Sequence, residues 1–407
     1  MRKLLLMLSA FLLWQCQSEN KKNIDGVWRA EVPTLIGPIP FNLEIETKND
    51  TIKVYAINAD EKLELDNAFF KNDSLHITME VFDAEIVAHV SDKTMHGIYT
   101  KKLDDNSNRT GAFSASMGDS YRFTADSETA KHDVSGKWQV SFTEPEGKIY
   151  PAVGIFSQKG NKVTGTFLTS TGDYRFLDGN VVGDSLKLSC FDGTHIFLFK
   201  AKINENKLEG GRFSSSLLYK ETWEGVKDDN AKLPDPDSLT FIKAGFDKFE
   251  LSFKNTKGET ISLSDAQYKD KVVLVQILGS WCPNCMDESK FYVKWLKENP
   301  EKDVEIIGLA FEKSTEPDIA YPKIDKMKKR FGMEYEVLLA GTIDKEDANK
   351  SLPMLNHIMS YPTTIYLDKK HHVRKIHTGF SGPGTGEYYA QFTEDFERFM
   401  ELLISEE

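Results

Sequence analysis

The chain has 407 residues, with 40% hydrophobic and 28% charged positions; that is a prior of about 2.7 domains at roughly 150 residues each, with the composition of a soluble globular protein. Its 51 basic and 63 acidic residues leave a net charge of −12, which argues against a nucleic-acid partner because phosphate binding needs a cationic footprint. The 4 cysteines, at positions 16, 190, 282 and 285, are too few for a disulfide scaffold.

In chain order, the first segment reads as an address. Arg2 and Lys3 precede an apolar run from Leu4 to Leu13, too short for a membrane-spanning helix of about 20 residues. A short basic start and a short apolar core predict a signal peptide over residues 1–15. Cys16 follows Leu13-Trp14-Gln15. This resembles a bacterial lipoprotein signal, with Leu13 matching the usual leucine three places before the cysteine, and Trp14 and Gln15 standing where small residues are usual. The resemblance implies lipidation at Cys16, a polar tether over 16–23, and a membrane as partner through the lipid anchor. Ordinary secretion with cleavage nearby is the alternative.

From residue 24 to 227, short runs such as Phe41-Asn42-Leu43-Glu44-Ile45 and Ser74-Leu75-His76-Ile77-Thr78 alternate apolar and polar side chains. That alternation predicts strands with one buried and one wet face, separated by turns such as Lys48-Asn49-Asp50 and Lys159-Gly160-Asn161. An internal repeat runs through the region. Asp25-Gly26-Val27-Trp28 matches Ser135-Gly136-Lys137-Trp138, and Asp73-Ser74-Leu75 matches Asp184-Ser185-Leu186. The spacing predicts two antiparallel all-β meanders, barrel-like or sandwich-like, over 24–130 and 131–227. Trp28 and Trp138 are expected in their cores, and Cys190 as a buried small hydrophobe. An exchange role for Cys190 with the C-terminal cysteines is the sharper alternative. The histidines of this region lack ligand spacing, so no metal is expected.

Residues 228–239, opening Asp-Asp-Asn-Ala-Lys-Leu-Pro-Asp-Pro-Asp, predict a linker. The pattern of 240–407 is α/β. It has a strand pair around Lys257-Gly258, a buried strand over Val272–Leu278 and a helix over 283–297. A strand follows over 304–309, then a helix over 319–331 ending at Gly332. Strands over 363–367 and 372–377 and a final helix over 387–403 complete it. A short helical insertion is expected over 345–357, before Pro362.

Trp281-Cys282-Pro283-Asn284-Cys285 falls between the buried strand and its helix. Unpaired backbone N–H groups and the helix dipole there favour an anion at Cys282, lowering its pKa below the free value of about 8.5. Pro283 suits the first turn, where no N–H is needed. The three-residue offset puts Cys285 within reach of Cys282, so Cys282 can attack a disulfide and Cys285 can resolve the product. A half zinc site would need a second ligand pair, and His371, His372 and His377 have no zinc spacing. A purely structural disulfide is a further alternative.

These residues resemble the thioredoxin-like superfamily, and within it the TlpA-like thiol–disulfide oxidoreductases. Phe249-x-Leu251, Gly279-Ser280-Trp281-Cys282-x-x-Cys285 and Tyr361-Pro362-Thr363-Thr364 carry the resemblance, over about 240–405. It implies a thioredoxin-like α/β fold with Pro362 cis and facing the cysteines, and with Trp281, Tyr361 and Thr363 around bound substrate. It also implies protein disulfide substrates and an upstream thiol electron donor, and no cofactor. Thioredoxins proper carry a buried aspartate where this chain has Gln276. TlpA-like proteins often use a glutamate at the end of the next strand, which Glu312 matches, implying a proton acceptor for Cys285. The P-x-x-x-T-x-x-C run of peroxiredoxins is absent from the sequence. The expectation is therefore an exported, membrane-anchored disulfide reductase of the cell envelope, facing periplasm or cell surface. The alternative is a surface binding module that keeps the thioredoxin-like unit as a scaffold.

Overall fold

The computed structural model describes residues 23–103, 107–125, 130–246 and 248–406; the signal peptide, Cys16 and all of the tether but Asn23 lie outside them. The first repeat contains β1 (Gly26–Thr34), β2 (Gly37–Lys48), β3 (Thr51–Asn58), β4 (Glu61–Glu64), β5 (Asn67–Lys71), β6 (Ser74–Met79), β7 (Ala84–Ser91), β8 (Thr94–Lys102) and β9 (Asn108–Met117). They pair in the order β2-β1-β9-β8-β7-β6-β5-β3-β4, and β3 pairs back onto β2, closing a barrel. The second repeat contains β10 (Gly136–Thr143), β11 (Ile149–Lys159), β12 (Lys162–Thr169), β13 (Gly172–Asp173), β14 (Leu177–Val182), β15 (Ser185–Phe191), β16 (Ile196–Asn204), β17 (Lys207–Ser214) and β18 (Glu221–Lys227). Its order, β11-β10-β18-β17-β16-β15-β14-β12-β13 with β12 returning to β11, copies the first strand for strand.

Alternation explains the strands. Along β6 every second side chain is buried, as a half-wet sheet demands. The repeat extends to single bonds: the Trp28 indole donates to Ile24 O and the Trp138 indole to Val134 O, each at 2.8 Å in a fully buried site. The barrels are not independent. Phe191, Ile196, Leu198 and Leu217 of the second pack into the core of the first, and the Phe41 and Phe191 rings stack at 4.2 Å. Asn58 exchanges two hydrogen bonds with the Phe191 backbone.

The C-terminal domain is a mixed sheet of β19 (Ser252–Asn255), β20 (Thr260–Ser262), β21 (Val272–Leu278), β22 (Val304–Glu312), β23 (Glu336–Thr342), β24 (Thr363–Leu367) and β25 (Val373–Thr378). The order is β20-β19-β23-β22-β21-β24-β25, with β21, β22 and β23 parallel and β24 antiparallel to β21. Helices α1 (Pro283–Glu298), α2 (Pro317–Phe331) and α4 (Glu387–Ser405) cover one face; α3 (Lys345–Ser351) covers the other. Every residue of β21 is buried, because its alternate side chains feed two cores, as a doubly covered strand requires. β23 is a strand that the sequence pattern did not announce. Residues 228–239 form no helix or strand, yet they are packed: Ala231 is buried, and the Thr378 amide donates to Pro236 O. Among the described residues no helix is long and apolar enough to cross a membrane.

Candidate active site

β21 ends at Leu278, and Gly279-Ser280-Trp281 carries the chain to α1. Glu312, at the end of neighbouring β22, fixes this turn: its carboxylate accepts from the Ser280 amide (2.8 Å) and hydroxyl (2.7 Å). The Trp281 indole donates to Phe311 O at 2.9 Å. Cys282 caps α1, its sulfur accepting from the Cys285 amide at 3.2 Å, with Pro283 in the first turn. Cys282 and Cys285 form a disulfide with their Cα atoms 5.3 Å apart. The sulfur of Cys282 thus sits at a helix N-terminus, where the dipole and a free amide stabilise a thiolate in the reduced state.

The second wall is the turn before β24. The Tyr361–Pro362 bond is cis, and Tyr361 O lies 3.4 Å from Cys282 Sγ. The Tyr361 ring meets Trp281 edge-on at 5.4 Å, and the Thr363 hydroxyl donates to Ser360 O at 2.9 Å. The structure therefore brings Trp281, Cys282, Cys285, Glu312, Tyr361, Pro362 and Thr363 into one region. Cys190 lies in the core of the second barrel, where burial pushes its thiol well above the usual range. Cys16 lies outside the described residues.

Glu288 went unnoticed in the sequence. It is fully buried on α1, three residues after Cys285 and so on the same helix face. Its carboxylate accepts from Gln276 (2.8 Å), Thr364 (3.0 Å) and Tyr292 (3.2 Å). Burial pushes the carboxyl up to about 7, outweighing those three hydrogen bonds, which favour the charged form. Gln276 in turn accepts from Ser289 and Tyr335. The place where thioredoxins carry a strand aspartate is thus served by a glutamine, and an ionisable carboxyl reaches it from the helix. The periodicity that buries Cys285 also buries Glu288, and that was the available signal.

Residues 243–376 match the model of the AhpC/TSA family. Over 138 residues the chain is 31% identical to the thioredoxin-like protein YneN of Bacillus subtilis, covering 34% of this chain and 73% of that protein. Over 167 residues it is 26% identical to the thiol-disulfide oxidoreductase ResA of Halalkalibacterium halodurans, covering 41% and 81%. A solved thiol-disulfide oxidoreductase from Bacteroides fragilis aligns at 15% identity and a TM-score of 0.28, covering 36% of this chain and 99% of that one.

Proposed function

Because this chain belongs to the thioredoxin-like AhpC/TSA family as a TlpA-like thiol–disulfide oxidoreductase, we propose that it reduces disulfides of other proteins through Cys282 and Cys285. The observation that carries this reading is the cysteine pair at the N-terminus of α1, faced by Pro362 and backed by buried Glu288. In the reduced enzyme the Cys282 thiolate attacks one sulfur of a substrate disulfide. A Cys282–substrate disulfide forms, and the other substrate sulfur leaves as a thiolate that takes up a proton. Cys285 then gives up its proton and attacks Cys282 Sγ; the second substrate thiolate leaves, and the enzyme holds the Cys282–Cys285 disulfide. Two electrons have passed to the substrate, and an upstream thiol donor returns them.

We assign the Cys285 proton to Glu288, whose pKa near 7 suits a base at neutral pH. Glu312, whose carboxylate accepts from the Ser280 amide with one oxygen and from the Ser280 hydroxyl with the other, we assign to positioning Cys282. Trp281, Tyr361 and Thr363 shape the docking edge. Lipidation at Cys16 would hold the enzyme in the cell envelope, facing the periplasm or cell surface; detergent-phase partitioning lost in Cys16→Ala supports this, and equal partitioning sinks it. The catalytic reading is tested by insulin reduction with dithiothreitol: activity in the wild type and its loss in Cys282→Ser support it, while a wild type no faster than dithiothreitol alone defeats it.

A further inference from the structure

The tip of the hairpin from β12 to β13 rests on the redox domain. The Ser360 hydroxyl donates to Thr171 O at 2.9 Å, the Asn284 amide to Asp173 O at 3.3 Å, and the Gly382 N–H to the Asp173 carboxylate at 2.7 Å. These donors come from three separate segments near Cys282: the first turn of α1, the approach to Pro362 and the glycine-rich turn after β25. The fit is close enough that a Cβ on Gly172, whose φ is +138°, would overlap the Asn284 amide. Cys282 is 5% exposed. Attack on a disulfide needs the incoming sulfur in line with the bond it breaks, and the tip is seated on Asn284, Ser360 and Gly382, segments next to Cys282 and Pro362 that an incoming protein would also meet.

Beyond the tip, the barrel pair meets the redox domain mainly through a charged clasp rather than a large shared core. Arg175 reaches Asp287 of α1, Glu61 of the first barrel (2.6 Å) and Asp192 of the second (3.6 Å). Arg330 of α2 pairs with Asp66 of the first barrel at 2.6 Å. Among the described residues the two large apolar clusters of the redox domain contain only its own side chains, whereas the barrels share theirs. One small cluster, Val153, Leu168 and Ala231 with Leu233 and Tyr388 against it, crosses the joint. The joint also holds a solvent-open cleft of about 280 Å³, with Met79 and Phe82 on one side and Met286 and Phe331 on the other, and with Arg175, Asp287 and Arg330 of the clasp on its wall. Polar, incompletely packed contacts between domains are the kind that come apart.

We propose that the hairpin tip Thr169–Asp173 is an autoinhibitory plug. It occupies the docking edge of the redox domain in the resting enzyme, and it yields to an extended segment of a protein substrate. This rests on the oxidoreductase reading above. The tip offers backbone carbonyls to Ser360 and Asn284, the same groups that any extended polypeptide would bring. Opening separates the redox domain from the barrel pair at residues 228–235, and the barrels stay together.

The test uses the full chain with Cys285→Ser, reduced, and compares alkylation of Cys282 by iodoacetamide and by a maleimide carrying a large polyethylene glycol. The plug predicts that the large reagent is selectively slow. Asp287→Ala, which opens the clasp from the redox side, should raise the large-to-small rate ratio about tenfold, the shift expected for losing one charge-assisted hydrogen bond. Asp173→Ala, which frees the tip from the barrel side, should do the same. An unchanged ratio in both variants overturns the plug. Insulin reduction with Cys285 intact is read in parallel. If the ratio rises while insulin is never reduced, the plug stands and the oxidoreductase reading falls. If insulin is reduced and the ratio stays fixed, the reverse holds.

Discussion

Gln276 Nε2 donates to Glu288 Oε2 across 2.8 Å, tying the central strand to the first helix one turn from Cys285. This bond replaces a strand carboxylate by a strand amide and moves the ionisable group onto the helix. It leaves one proton-accepting site within the buried polar network formed by Gln276, Tyr292, Thr364 and Tyr335.

Glu288 makes both activity and stability depend on pH. Its carboxyl holds a proton to about 7 in the folded protein, against an ordinary 4.5. The folded state therefore binds this proton more tightly than the unfolded state does. Stability should be highest below the ordinary glutamate range, fall as pH rises from about 4.5 to about 7, and then level off. In Glu288→Gln the urea midpoint should lose this part of its slope. The base needs the charged form, so turnover should rise through pH 7 in the wild type. It should drop by about a hundredfold in Glu288→Gln, the low end of what a positioned base supplies. A variant with wild-type turnover and an unchanged pH profile would remove Glu288 from the reaction.

Glu312 acts on geometry. In Glu312→Ala the buried Ser280 amide and hydroxyl lose this acceptor, which should cost about 1–3 kcal/mol and slow Cys282 alkylation as the turn loosens. Thermal unfolding and iodoacetamide kinetics check the two effects. An activity loss with no change in either would return Glu312 to a direct part in proton transfer.

The barrels should unfold as one body. Phe191 belongs to the second barrel but stacks on Phe41 of the first, so Phe191→Ala should cost about 3–5 kcal/mol and shift the melting of both barrels together. Tryptophan fluorescence reads this through Trp28 in the first barrel core and Trp138 and Trp223 in the second, in a background where Trp281 and Trp295 are replaced by Phe. Separate transitions for the two would contradict a common core.

The fold was legible where local pattern decides it. The apolar run Val272–Leu278 is β21 residue for residue, and alternation marked β6. β23 escaped because its apolar run is only Val337-Leu338-Leu339-Ala340, flanked by Glu336 and by Gly341-Thr342, which reads equally well as part of a loop or of a buried helix segment. The cysteine pair and Pro362 announced themselves through spacing. Glu288, within Met286-Asp287-Glu288-Ser289, reads as wet helix surface until the buried face of α1 is known. The contact of Thr171 with Ser360 joins positions 189 residues apart, and no sequence period encodes such a meeting.

The most direct test of the central claim is covalent trapping. Full-length protein with Cys285→Ser, exposed to extracts of the cell envelope, should accumulate disulfide-linked complexes that dithiothreitol releases and that vanish when Cys282→Ser is added. Complexes that persist without Cys282, or none above the wild-type background, would contradict the assignment of Cys282 as the nucleophile toward protein disulfides.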